Sequence, residues 1–158
     1  MEPQKTNKDV MTLDFSTINA DADLKEAFES LKKTLEESPY SPGLIVVENE
    51  GKYVGVLTLG DFMSELRLLY RDACDKTGGE EWIARFFTEC ELMGIRKVSE
   101  IMSGKRLSVK SGDTFEKACE LILRKKIDVL AVVDEKSSPV GIVTGRHVLT
   151  EIGPRMFK

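Results

Sequence analysis

Gly55-Val56-Leu57-Thr58-Leu59-Gly60-Asp61 and Gly141-Ile142-Val143-Thr144-Gly145-Arg146-His147 are two versions of one phrase. Each is a glycine, two apolar residues, a threonine and, three positions later, a side chain able to accept a hydrogen bond. A second matching phrase precedes each: Leu44-Ile45-Val46-Val47-Glu48 before the first, Leu130-Ala131-Val132-Val133-Asp134 before the second. Further upstream, Val10-Met11 with Ile18, Leu24 and Ala27 is matched by Ile101-Met102 with Val109, Phe115 and Ala118. The order of elements is the same, and the copies lie about ninety residues apart. A duplicated unit of this kind cannot bury its apolar face alone and packs on its copy. The seam between two copies makes two related clefts, which ranks ligand sensing above catalysis.

The apolar runs Leu44–Val47 and Ile127–Val133 read as strands buried on both faces. Asn49–Lys52 and Asp134–Ser138 are turns that return the chain into Tyr53–Thr58 and Pro139–Thr144. Leu24, Ala27, Phe28, Leu31 and Leu35 recur at helical spacing behind a cap at Asp21 or Asp23. Phe115, Ala118, Cys119, Leu121 and Ile122 do the same behind Asp113 or Thr114. Asp61 and His147 open the closing helices. Each unit is thus β-α-β-β-α, and the fold class is α/β (α+β). The registers agree if the first unit carries a short insertion at Glu37–Ser41, just before its buried strand, where Ser38-Pro39-Tyr40-Ser41-Pro42-Gly43 breaks the helix. The domain division is a flexible arm over 1–9, repeat one over 10–66, a helical linker over 67–96, repeat two over 97–153 and a tail over 154–158. In the linker, Trp82, Phe86, Phe87, Cys90 and Met93 form an aromatic stripe at helical spacing, either packed on the repeats or contacting a second copy.

The chain has 158 residues, enough for a real core. With 23 Lys+Arg against 27 Asp+Glu, its net charge of −4 argues against nucleic acid as the main partner. No apolar stretch approaches the ~18–20 residues of a membrane span, and the N-terminus lacks a signal-peptide core, so a cytoplasmic protein is expected. Cys74, Cys90 and Cys119 lack metal-ligand spacing and His147 is the only histidine, so no metal site is expected. No nucleophile–base set and no phosphate-binding P-loop is present, so no catalytic residue is expected.

Thr58-x-x-Asp61 carries the chemistry. A strand end and helix start expose unpaired backbone N–H groups that suit phosphate, and Thr58 adds a hydroxyl. Asp61 offers paired acceptor oxygens of the kind that hold the two hydroxyls of a ribose. Val56 could flank a flat base. The alternative is a capping aspartate beside a packing threonine.

The paired pattern resembles the tandem CBS domain, the cystathionine-β-synthase repeat. The resemblance rests on Val98-x-x-Ile101-Met102, the Val132-Val133-Asp134 strand end and both glycine-apolar-apolar-threonine segments, and covers about residues 7–153. It implies two pseudosymmetric repeats packed through their sheets, a disc of two pairs, and clefts that take AMP, ADP, ATP or S-adenosylmethionine. It implies a first cleft with Asp61 on the ribose, Thr58 toward phosphate and Val56 at the base. The opposite wall would hold Met102, Leu107, Ser108, Ile127 and Asp128, with backbone groups near Leu107 and Asp128 reading the adenine edge. The second cleft departs from the pattern, because His147 stands where the aspartate is expected. Thr144, Arg146 and His147 would face Met11, Ser16, Thr17, Ser41 and Pro42. That cleft is empty, or binds an anion at Thr144, Arg146, His147, Ser16 and Thr17, or holds a nucleotide differently. Arg96, Lys97, Lys105, Arg106 and Lys110 form a basic patch, either a solvated face or a contact for terminal phosphates.

The expected function is a regulatory module that senses an adenine nucleotide, with no required cofactor, acting as a homodimer on an unknown protein partner. The alternatives are a structural dimerisation module with vacant clefts and a weak nucleic-acid-binding module.

Overall fold

The structure, a computed structural model, describes residues 4–38, 40–103 and 106–156. The first repeat contains α1 (Asn7–Val10), β1 (Thr17–Asn19), α2 (Leu24–Glu37), β2 (Gly43–Val47), β3 (Tyr53–Thr58) and α3 (Leu59–Thr77). A linker helix, α4 (Trp82–Met93), follows. The second repeat contains α5 (Val98–Ile101), β4 (Ser108–Lys110), α6 (Phe115–Lys125), β5 (Val129–Val133), β6 (Pro139–Thr144) and α7 (Gly145–Met156).

Each repeat builds a three-stranded sheet in chain order, β1-β2-β3 and β4-β5-β6. The first pair in each is parallel and the second antiparallel. Even the register irregularity recurs, between Val46 and Val47 in one sheet and Val132 and Val133 in the other. The central strands are apolar throughout because both of their faces are covered: Leu44, Ile45 and Val46 are at most 1% exposed, and all of β5 is buried. Full burial of one such side chain contributes about 1.5–3 kcal/mol. One face of each sheet meets its helix, through Ala27 and Leu31 of α2 and Ala118 and Ile122 of α6. The other faces meet each other, where Ile45 and Tyr53 pack with Val129, Ala131, Val133 and Ile142. This is the predicted sheet-to-sheet packing.

The caps resolve to Asp23, whose Oδ1 accepts from the Glu26 N–H at 2.8 Å, and Thr114, whose Oγ1 accepts from the Lys117 N–H at 3.4 Å. Asp113 instead accepts from the Lys110 N–H, closing a turn. Thr17 to Ser108 spans 91 positions but Gly43 to Val129 only 86, so the first repeat holds five extra residues between its first two strands. They lengthen α2 and the loop after it, as the register required.

The ordered structure runs across the expected division in three places. The arm is tied down from Lys5: the Phe115 N–H donates to Lys5 O, the Asn7 N–H to Asp113 O, and Thr12 exchanges two backbone bonds with Ile142. Asn7 is fully buried, and its Nδ2 donates to Lys110 O. Val10 and Met11 therefore pack in the core of the second repeat, while Val98 and Ile101 pack in that of the first. The division at 66/67 falls inside α3, which runs on to Thr77 and ends at the left-handed Gly78. The tail expected from Pro154 is the last turn of α7 as far as Met156. Met1–Pro3, Pro39 and Lys105 lie outside the described residues. Among the described residues no helix is long and apolar enough to cross a membrane.

Candidate functional site

β3 ends at Thr58 in extended conformation, and α3 begins at the next residue. Thr58 Oγ1 accepts from the Asp61 N–H at 3.3 Å. In return, Asp61 Oδ2 accepts from the Thr58 N–H at 2.8 Å and from its hydroxyl at 3.2 Å. This is a reciprocal capping box. The expected roles are exchanged: Thr58 is the cap, and Asp61 stands at the third position of the helix. Among the described residues, Asp61 Oδ1 has no hydrogen-bond partner and no cation lies within ion-pair distance. Burial pushes the Asp61 carboxyl above its ordinary range, and the two Thr58 bonds pull it back. A half-buried carboxylate without a counter-ion costs stability, which is typical of an acceptor that meets a ligand.

The wall beside it comes from the segment after α5. The Ser103 N–H donates to Val56 O at 3.0 Å, so this segment crosses β3 at Val56. Met102 lies against Gly55: a Cβ there would stand 3.4 Å from its Sδ. The Tyr53 hydroxyl donates to Leu107 O at 2.8 Å, and burial pushes that phenol up to about 12. Val56, Met102 and Leu107 are thus gathered along β3, which ends at Thr58. Ser108 pairs with Ala131 in the sheet, and the Ile127 N–H closes the end of α6 on Ile122 O.

Asp128 is placed differently from expectation. Val129 pairs with Thr144, so the residue before β5 must lie at the start of α7. Asp128 O accepts from the Gly145 N–H at 3.3 Å, and Asp128 lines a cavity of about 490 Å³ with Thr144, Gly145, Arg146, Tyr40, Ser41 and Pro42. This cavity is the second cleft. Ser16 and Thr17 are not in its wall: Ser16 O accepts from the Ile45 N–H, and Thr17 pairs with Ile45. His147 is also absent from the wall. It is buried, and its Nδ1 accepts from the Thr144 N–H at 3.0 Å and lies 2.9 Å from Thr144 Oγ1. The imidazole thus reproduces the capping role of Asp61. Because a backbone N–H only donates, the neutral ring carries its proton on Nε2. Burial holds His147 below the ordinary histidine value, with Glu151 acting weakly against it.

Most of the basic patch is internally paired. Arg96 bridges Glu65 at 2.8 Å and Glu100 at 3.5 Å, Lys97 meets Asp21 at 3.7 Å, and Lys110 meets Glu135 at 2.8 Å. Such pairing favours the solvated face over a phosphate contact. Among the described residues no group of three or more His, Cys, Asp or Glu could hold a metal ion, and the three cysteines are free.

The CBS domain family model matches residues 8–68 and again 98–153. The chain belongs to the CBS-domain family. The uncharacterized protein MJ1225 of Methanocaldococcus jannaschii is 30% identical over 108 residues, 65% of this chain and 33% of that protein. The chain spans a fifth to a third of the length of the curated relatives it matches. Among solved structures, CBSX2 in complex with AMP has a TM-score of 0.67 at 22% identity, covering 98% of this chain and 99% of that one. The CBS domain pair of MJ0100, in complex with 5′-methylthioadenosine and S-adenosyl-L-methionine, has a TM-score of 0.68 at 19% identity, covering 97% and 99%. These likenesses establish the CBS-pair fold.

Two residues that shape the clefts of this CBS pair escaped the sequence reading. Tyr53 pins the backbone at Leu107, and nothing local marks it out from other strand tyrosines. Tyr40 packs on His147 and lines the second cleft. Its signal was present in the five-residue insertion, but only a long-range contact shows where that insertion reaches.

Proposed function

We propose that this CBS pair is a regulatory module that binds an adenine nucleotide or S-adenosylmethionine in the first cleft. The observation that carries the reading is Asp61, a half-buried carboxylate held at a helix N-terminus, with one oxygen unbonded and no cation beside it among the described residues. The two hydroxyls of a ribose would supply the missing donors, and the start of α3 would face phosphate. The AMP and S-adenosyl-L-methionine complexes of structures with the same fold support the ligand class. Signalling requires that the ligand bind two packings of the repeats, or two assemblies, with different affinity.

The proposed assembly is a homodimer through α3 and α7. Met63 and Leu149 occupy equivalent positions in the two helices and are 39% and 68% exposed, and Ile152 lies one turn beyond Leu149 at 37%. Equivalent apolar positions bared on both repeats suit a second copy with the same pseudosymmetry.

The test is calorimetric titration with AMP, ADP, ATP and S-adenosylmethionine, accompanied by thermal melting, since saturating ligand raises the melting temperature by mass action. Selective binding of one of the four that weakens at least tenfold in Asp61→Ala supports the site. Tight binding unchanged by that substitution removes it, and no binding by any of the four returns the module to a structural role.

A further inference from the structure

The second cleft holds one ring that the repeat pattern does not duplicate. The five residues that distinguish the first repeat lie before β2, and they deliver Tyr40 to the second cleft. The Tyr40 ring packs on the His147 imidazole at 4.5 Å between centres, with the planes 33° apart. The Arg146 guanidinium lies 5.5 Å from the centre of the same ring, a distance at which a cation is held by the ring face. Tyr40 is in the wall of the cavity and His147, 6% exposed, is not. The ring therefore stands between the cavity and the position that Asp61 holds in the first repeat. The acceptor of His147 is also spent, because Nδ1 takes the Thr144 N–H. Arg146, the cation nearest the start of α7 in sequence, is drawn onto the tyrosine. Counted back from β5 as Tyr40 is from β2, the corresponding residue of the second repeat is Lys126, an exposed side chain with no ring.

We propose that Tyr40 is a specificity-determining screen that keeps a nucleoside out of the second cleft, so that the chain has one adenosine-type site although its fold offers two. The proposal rests on the reading of Thr58 and Asp61 as a ribose site. It makes the second cleft a latent copy of the first, closed at the ribose position by a residue of the other repeat.

The test is the number of AMP equivalents bound, by calorimetry, in a series that rebuilds the first-cleft pattern in the second. His147→Asp restores Thr-x-x-Asp while keeping an acceptor for the Thr144 N–H. With the screen in place it adds no equivalent. Tyr40→Ala combined with His147→Asp adds one equivalent over the parent chain, and Tyr40→Phe combined with His147→Asp, which keeps the ring, adds none. A site gained by His147→Asp alone, or none gained by the Tyr40→Ala double variant, overturns the proposal. Adding Asp61→Ala separates the two readings: it removes the parental equivalent and spares the gained one. Parental binding that survives Asp61→Ala sinks the ribose reading, while the gained equivalent still decides the role of Tyr40. A measurement without ligand checks the geometry. His147 is the only histidine, so its ring protons are unambiguous in the proton NMR spectrum. Tyr40→Ala shifts them downfield as the stacked ring is lost, and unchanged shifts overturn the screen.

Discussion

At Gly55 the backbone of β3 runs so close to the crossing segment that a Cβ would stand 2.7 Å from the Ser103 carbonyl oxygen. At Gly141 a Cβ would stand 2.6 Å from Met11 Sδ and 3.2 Å from Thr12 O. The two glycines of the repeated phrase thus serve the same purpose, letting the opening segment of one repeat lie across the last strand of the other. The obstacles differ in stiffness. Ser103 is backbone, fixed by its own bond to Val56, whereas the thioether of Met11 can turn aside. Gly55→Ala is expected to lower stability by about 1–3 kcal/mol, the usual cost of overpacking. Gly141→Ala is expected to cost less. Urea unfolding midpoints of the two variants check the order, and equal midpoints would show that the Ser103 crossing yields as readily as a side chain.

Both closing helices follow a threonine whose N–H is taken by an acceptor three residues later, but the acceptors titrate in different ranges. In α7 the acceptor is His147 Nδ1, and protonation there would set an N–H against the Thr144 N–H. The groups around it are Glu151 one turn on, the neighbouring Arg146 and the Tyr40 ring. Burial lowers the folded-state value below the ordinary 6.5, so between the two values the unfolded chain binds the proton more readily. The contribution of this cap is therefore complete above the ordinary histidine value and is lost as pH falls through the lowered one. His147→Asn keeps an acceptor oxygen without the titration. Its unfolding midpoint is expected to fall less than that of the parent chain between pH 7.5 and 5.5. Parallel losses in the two proteins would place the acid sensitivity elsewhere. The aromatic stripe of α4 divides by the same local logic. Trp82 packs edge-on against Tyr70 at 4.9 Å and Phe86 at 5.7 Å, and Met93 is buried in the first core, while Ile83 and Phe87 remain more than half exposed.

At the scale of the whole molecule the repeats are interlocked. The segment around α1 bonds to the second repeat and the segment around α5 to the first, so neither repeat holds all of its own core. Cooperative unfolding of the pair as one unit follows from that exchange. The proposed dimer belongs to this scale as well, because its face draws on one helix from each repeat. Met63→Glu combined with Leu149→Glu is expected to halve the mass found by light scattering at micromolar concentration while leaving the melting transition cooperative. A parent chain already monomeric at that concentration would remove the dimer.

The repeat, the strand and helix order, the doubly buried central strands and the five-residue insertion were legible in the chain, because each follows from the local period of apolar residues and the chemistry of turns. The family followed from their order and duplication, since no single motif was distinctive. The exchange of the opening segments was not legible in the local pattern, although the family resemblance already set Met102 against the first cleft and Met11 against the second. Val10-Met11 and Val98–Ile101 read alike whichever sheet they cover, and only the pseudosymmetric packing assigns each to the other repeat. Nor did the pattern show that Thr58, not Asp61, is the cap, or that His147 keeps the same capping geometry. The placement of Asp128 beside Gly145 depends on strand register, and the placement of Tyr40 on His147 depends on a contact more than a hundred residues apart in the chain. Local sequence determined which elements form, because propensity and periodicity act over a few residues. The tertiary structure alone decided which side chains meet in each cleft, because that depends on how two sheets are pressed together.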